Sequence, residues 1–172
     1  MEIQTNFSLK NYNTFGISAA AKSFISVTSE DKLITVLQQQ QDIFILGGGS
    51  NMLLTKDIEK TVVHVNLKGI AITKEMDDYV WVTAQAGENW HEFVLWCLER
   101  NFGGLENLSL IPGNVGTTPI QNIGAYGVEI KDTMVSCEAI ATKTQEKHIF
   151  TNAECAFEYR ESIFKKELKD QY

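Results

Sequence analysis

Both prolines of this chain and six of its twelve glycines lie between Gly103 and Gly127, a stretch in which Glu106 is the only charged residue. Such a tract is suited to backbone contact. Its second half, Ile111-Pro-Gly-Asn-Val-Gly-Thr-Thr-Pro-Ile-Gln-Asn-Ile-Gly-Ala-Tyr-Gly127, keeps side-chain bulk low and frees peptide N–H groups and hydroxyls. Glycine lets a ligand approach the main chain, and Thr117, Thr118, Gln121 and Asn122 can give it directed hydrogen bonds. The plainer reading is an irregular surface loop. Surface loops of this length are usually charged, and long structureless ones in compact domains tend to be functional, so the tract is read as a ligand-binding segment.

The rest of the composition sets the bounds. At 172 residues, 44% hydrophobic and 22% charged, the chain can bury a core as one domain or as two small lobes, here divided as 1–67 and 68–172. Its net charge of -7 argues against a nucleic-acid or anionic-membrane surface, since both need clustered Lys and Arg. Any phosphate it binds must then be neutralised mainly by backbone amides. The first residues carry no secretory signal pattern and no apolar run is long enough to span a bilayer, so a cytoplasmic protein is expected. Cys97, Cys137 and Cys155 form no C-x-x-C pair and read as reduced core thiols. His64, His91 and His148 fall in no metal-binding pattern, and no metal site is expected.

Along the chain, Ser23–Val27 alternates as a strand, and Ser29 caps a helix carrying Leu33, Ile34 and Leu37. Ile43–Leu46 is a buried-strand run that delivers its end to Gly47-Gly-Gly-Ser-Asn51, completing a β-α-β unit. Val62–Val65 and Tyr79–Ala86 read as further strands. Asn89 and Glu92 have capping-box spacing before Trp90, Phe93, Val94, Cys97 and Leu98, a helix in which Trp90 and Trp96 are read as core residues. Strands follow in Met134–Thr142 and Lys147–Thr151, with a short helix suggested by Thr151 and Glu154. Helices and strands without steady alternation imply an α+β architecture.

The cluster Gly47, Gly48, Gly49, Ser50, Asn51 is not a Rossmann fingerprint, because Met52 stands where the third glycine belongs and no convincing helix follows. Nor is it a Walker loop, since Gly-Lys-Ser and Gly-Lys-Thr are absent from the sequence. What remains is a nest of consecutive N–H groups adequate for a pyrophosphate without metal, or simply a tight turn. Two uncharged glycine tracts together suit an elongated dinucleotide, one holding pyrophosphate and the other lining an aromatic ring system such as a flavin.

The ordered blocks Asn13-Thr-Phe-Gly16, Leu46-Gly-Gly-Gly-Ser-Asn51, Ala86-Gly87, Ile111 to Glu129 and Tyr159-Arg-Glu-Ser-Ile-Phe-Lys165 are similar to those of the UDP-N-acetylenolpyruvoylglucosamine reductases, flavoenzymes of peptidoglycan precursor synthesis. The resemblance spans nearly the whole chain. It implies a two-lobed FAD-binding domain of the vanillyl-alcohol oxidase type, with the family's C-terminal substrate domain, its serine proton donor and its glutamate lying outside this sequence. It also implies noncovalent FAD, NADPH as reductant, a nucleotide-sugar substrate and a monomer with no nucleic-acid or membrane partner. Cofactor contacts are expected from Gly47, Gly48, Gly49, Ser50, Asn51, Pro112, Gly113, Gly116, Thr117, Thr118, Gln121, Asn122 and Gly124. Arg160 is the implied catalytic cation, since a guanidinium stays charged and grips a carboxylate with two parallel bonds. Its plainer role is an ion pair with Glu158 or Glu161. Tyr126 and Tyr159 are the implied substrate-lining residues, the alternative being packed core tyrosines. Two other functions fit the same residues: a flavin oxidase of the same fold, and a non-catalytic nucleotide-binding module.

Overall fold

The structure is a computed structural model and describes residues 2–172. A four-stranded sheet organises the first part of the chain. β1 (Gln4–Ser8) is its antiparallel edge against β2 (Ala20–Val27); β4 (Ile58–Val65) runs parallel to β2 on one side and to β3 (Ile43–Leu46) on the other. The β-α-β unit exists, but β4 is inserted between its two strands. Alternation along β2 and β4 then feeds two cores. Phe24 and Val62 face Leu9, Leu46 and Leu54, whereas Ile25 and Val63 face Leu33, Val36 and Leu37 of α1 (Glu30–Gln39). The Ser29 hydroxyl accepts from the Lys32 N–H, so the helix starts at its sequence-marked cap.

A third core lies under the glycine-rich tract. It joins α2 (Trp90–Leu98) to the hairpin of β5 (Ile70–Glu75) and β6 (Val80–Ala84), with Leu108, Ile123 and Ile130 closing it. Asn89 caps α2 through its side-chain oxygen, and Trp90 is 1% exposed with its indole N–H donating to the Leu108 carbonyl at 2.7 Å. Burial pushes the Cys97 thiol up to about 11.

The tract itself contains one tiny hairpin, β7 (Gly124–Ala125) with β8 (Val128–Glu129). Its two central residues, Tyr126 and Gly127, have φ of 51° and 79°, the signs of a type I′ turn. The chain ends beyond the hairpin of β9 (Ser136–Ile140) and β10 (Lys147–Thr151), which leans back on the first part: Ile140 packs beside α1 and Lys147 pairs with Glu30 at 2.8 Å.

Three expectations are corrected. No helix starts at Thr151. The Glu154 carboxylate does accept from the Thr151 N–H (2.8 Å) and hydroxyl (2.7 Å), yet the Asn152 amide is drawn to the Lys131 and Met134 carbonyls and Ala156 takes a φ of 46°, so the capped segment closes as a turn. β1 and β5 are additional strands. Of the three thiols, Cys97 and Cys155 are buried but Cys137 is only half-buried.

Candidate functional site

The two glycine tracts meet. The Ser50 hydroxyl donates to the Pro112 carbonyl at 3.3 Å and the Asn51 amide to Gln121 Oε1 at 2.9 Å. A Cβ on Gly47 would stand 2.8 Å from the Thr117 methyl, and one on Gly48 would stand 3.1 Å from Gly113 Cα. Glycine is therefore required here for chain-to-chain approach. Gly49 has φ +64°, and the Thr14 N–H donates to its carbonyl, so the Asn13-to-Gly16 block is the platform behind the turn. The Asn13 side chain holds that platform with three hydrogen bonds to Leu9 and Ile17.

Between the tracts lies a cleft of about 310 Å³, lined by Gly47 to Met52, Pro112, Asn114, Thr117, Thr118 and Gln121 and floored by Ile45, Trp90, Ile120 and Ile123, with Lys165 and Tyr172 on its wall. Among the described residues, the N–H groups of Gly48, Gly49, Ser50 and Asn51 donate to no protein acceptor. Four consecutive free donors at a strand end form a concavity for anionic oxygens.

A second pocket, of about 450 Å³, is lined from Gly124 onward, the residue that follows Ile123 of the first. Two tight turns project into it. One is the β7–β8 hairpin, whose tip puts Tyr126 87% in solvent. The other is closed by reciprocal hydrogen bonds between Glu158 and Glu161 (3.1 and 3.2 Å), with Tyr159 and Arg160 at its centre, Tyr159 80% exposed and Arg160 at φ +56°. Neither tyrosine is a core residue. A left-handed φ at Tyr126 and Arg160 costs of order 1–3 kcal/mol each, and such strain clusters where a side chain must be aimed. The Arg160 guanidinium donates to the Gly124 carbonyl at 2.5 Å, joining the two turns. Among the described residues it is in no ion pair: Glu158 is taken by Lys166 at 2.7 Å, which holds that carboxyl below its ordinary value, and Glu161 by Lys165 at 3.3 Å. The guanidinium therefore retains donors for an anion entering the pocket.

The profile of the FAD binding domain family matches residues 21–146. The chain belongs to this family. It is 69% identical over 174 residues to a UDP-N-acetylenolpyruvoylglucosamine reductase of Flavobacterium johnsoniae, a match covering 100% of this chain and 52% of that protein. It is 46% identical over 176 residues to the reductase of the same name from Amoebophilus asiaticus, again covering 100% of this chain and 52% of the relative. The chain spans about half the length of these curated relatives. Among solved structures, the UDP-N-acetylenolpyruvylglucosamine reductase of Thermus caldophilus superposes with a TM-score of 0.72 at 24% identity, over 94% of this chain and 56% of that one, and so shares its fold. The family resemblance and the α+β FAD-binding fold read from the sequence both hold.

The geometry fits the group for which this family is named. The free N–H groups of Gly48 to Asn51 match a pyrophosphate, and the apolar floor of Ile45, Ile120 and Ile123 suits a flat ring. Within the expected site residues the structure draws a distinction. Gly47, Gly48, Gly49, Ser50, Asn51, Pro112, Thr117, Thr118 and Gln121 line the cleft. Gly113, Gly116 and Asn122 lie outside this lining, and Gly124 lines the second pocket instead. Gly116 packs against Ala86, where a Cβ would come within 2.5 Å, and Gly113 faces Ser50. Asn122 is 0% exposed; its amide donates to the Glu158 carbonyl at 3.0 Å and its oxygen accepts from the Lys131 N–H at 3.3 Å. The Thr117 and Thr118 hydroxyls donate to Asn114 and Val115, which leaves their oxygens only as acceptors towards the cleft. Sequence reasoning passed over Asn114, Lys165 and Tyr172. Asn114 and Lys165 had a visible signal, since they lie in the Ile111 and Tyr159 blocks.

Proposed function

We propose that this chain is the FAD-holding portion of a reductase that converts UDP-N-acetylglucosamine enolpyruvate to UDP-N-acetylmuramate, with NADPH as the source of reducing equivalents. The observation that carries this reading is the N–H nest of Gly48 to Asn51 in an apolar-floored cleft, with the Arg160 guanidinium held to the Gly124 carbonyl one residue beyond Ile123 of that cleft. When bound, FAD supplies hydride chemistry to the enolpyruvyl double bond. The peptide N–H groups of Gly48 to Asn51 hold the FAD pyrophosphate without a covalent bond. Arg160 binds the carboxylate of the enolpyruvyl group and stabilises negative charge as it builds there, while Tyr126 and Tyr159 line the approach. The residues described here include no assigned proton donor, which agrees with a chain half as long as its relatives. Turnover by this chain alone is accordingly expected to be low. A cytoplasmic, monomeric protein with a nucleotide-sugar ligand and no nucleic-acid or membrane partner completes the proposal; among the described residues no helix is long and apolar enough to cross a membrane.

The test compares this chain with one extended to the length of its relatives. Both bind FAD, seen as a perturbed flavin absorbance, but NADPH consumption driven by the enolpyruvyl substrate is expected only from the longer chain. In that longer chain Arg160→Lys lowers kcat about a hundredfold, as loss of a directed charge stabiliser does, with FAD binding unchanged. Equal activity of the two chains, or reaction of reduced flavin with oxygen coupled to a small alcohol, overturns the assignment.

A further inference from the structure

We propose that Lys165 is the cation that the dinucleotide cleft presents to its ligand, and that its ammonium couples occupancy of the cleft to the turn carrying Arg160. The inference deepens the cofactor reading above and rests on it. Every other side chain lining the cleft is uncharged. The chain as a whole carries a net charge of -7, so a dianionic pyrophosphate entering there meets partial charges from peptide N–H groups and a single full positive charge. A charge-assisted hydrogen bond is roughly twice as strong as a neutral one, which makes that single ammonium a large share of the attraction.

The main chain at Lys165 is fixed by its neighbours. Lys165 closes the 3₁₀ turn Ile163–Lys165, and buried Ser162 anchors that turn by donating to the Ile120 carbonyl at 2.6 Å and accepting from the Phe164 N–H at 3.2 Å. The Ile163 N–H adds a bond to the Cys155 carbonyl at 2.9 Å. The side chain, 43% exposed, then reaches two acceptors: the Arg160 carbonyl at 3.0 Å and Glu161 Oε1 at 3.3 Å. An ammonium has three donors, so among the described residues one is left for a ligand oxygen in the cleft.

The Arg160 carbonyl is an informative partner. Its peptide is held at φ +56° and its guanidinium grips Gly124 in the neighbouring pocket. A pyrophosphate that draws the Lys165 ammonium towards itself loosens or re-aims the bond to that peptide, so an anion in one pocket is felt in the other. A mere surface pair of Lys165 with Glu161, four residues apart, predicts no such link.

FAD titrations followed by quenching of flavin fluorescence, at a series of NaCl concentrations, separate these cases. Lys165→Gln is expected to bind FAD about tenfold more weakly and with a shallower salt dependence, and Lys165→Arg to restore most of both. Glu161→Gln, which releases the ammonium from its carboxylate, is expected to bind at least as tightly as the unsubstituted chain. Hydrogen exchange at the Glu158–Glu161 turn should change on adding FAD to the unsubstituted chain and not to Lys165→Gln. Unchanged affinity and salt dependence in Lys165→Gln overturns the role of Lys165 while leaving the cofactor reading intact. An identical exchange response in Lys165→Gln overturns the coupling. Absence of FAD binding by the unsubstituted chain overturns the cofactor reading, and Lys165 with it.

Discussion

The segment Gly48–Asn51 turns its peptide N–H groups outward, whereas Val115–Thr118 turns its own inward. Gly116 donates to Ala86, Thr117 to Asn114, Thr118 to Val115 and Ile123 to Thr118, while no protein acceptor is found for Gly48 to Asn51 among the described residues. The two segments share a composition of glycine, small polar residues and almost no charge, yet one is a donor surface and the other is the wall that shapes it. Glycine content marks where something comes close. Whether that something is a ligand or another stretch of chain is decided by where the neighbouring hydrogen bonds go.

Substitutions can break this contrast, and Gly49 offers the largest effect. A Cβ there would stand 2.0 Å from the Tyr12 carbonyl oxygen, and φ of +64° strains any L side chain. Gly49→Ala is expected to destabilise the chain by about 4 kcal/mol or to prevent folding, because backbone on both sides must move. Urea denaturation measures it, and a loss below about 1 kcal/mol would show the turn to be looser than drawn. The outward-facing segment is thus rigid from behind, which pre-forms its donors for an anion.

Asn122 sharpens the contrast from the other side. In sequence it looks like a ligand-binding amide, but in the fold it ties the Glu158 carbonyl and the Lys131 N–H to the inward-turned tract. Asn122→Ala would leave the part-buried Lys131 N–H without its acceptor, at about 1–3 kcal/mol, while the Glu158 carbonyl keeps its bond from the Glu161 N–H. The expected result is a loss of about 1–3 kcal/mol in thermal or urea unfolding, together with a loosened Arg160 turn. An unaltered melting temperature with weakened FAD binding would instead return Asn122 to the ligand surface.

Much of this architecture was legible because local chemistry and tertiary structure agree. The Ser29 and Asn89 caps, the apolar spacing of α2, and the delivery of Ile43–Leu46 to a glycine turn each follow from residues a few positions apart. Legibility failed where burial is one-sided or absent. β1 is polar and lies at a sheet edge, and along β5 only Ile70 is part-buried, so neither strand writes a period into the sequence. Thr151 and Glu154 make their capping bonds without a helix, because a turn satisfies the same two groups while Asn152 is held by the preceding loop. At the site, the outward nest and the Arg160 turn were visible as motifs. The inward role of Asn122 and the cleft-facing Lys165 were not, since each depends on contacts some thirty or more residues away in the chain.

Glu106, the single charge of the proline- and glycine-rich tract, gives the smallest expected effect and the most specific pH signature. Its carboxylate caps its own turn: hydrogen bonds from the Glu106 N–H and from the Gly104 N–H, the latter at 2.6 Å, hold its carboxyl below the ordinary value although it is fully exposed. A folded value below the unfolded one means that the ionised form is favoured by folding. The contribution is fully present above the unfolded carboxylate value of about 4.3 and is lost as pH falls through the folded value. Glu106→Gln should therefore melt slightly below the unsubstituted chain at pH 7, with the gap closing in acid. Added salt should shrink the gap at pH 7 only a little, because a hydrogen-bonded cap at contact distance is screened less than separated surface charges. A gap that persists unchanged at pH 3 would mean that glutamine fails here by shape, and that the one charge in this tract is not what secures its entrance.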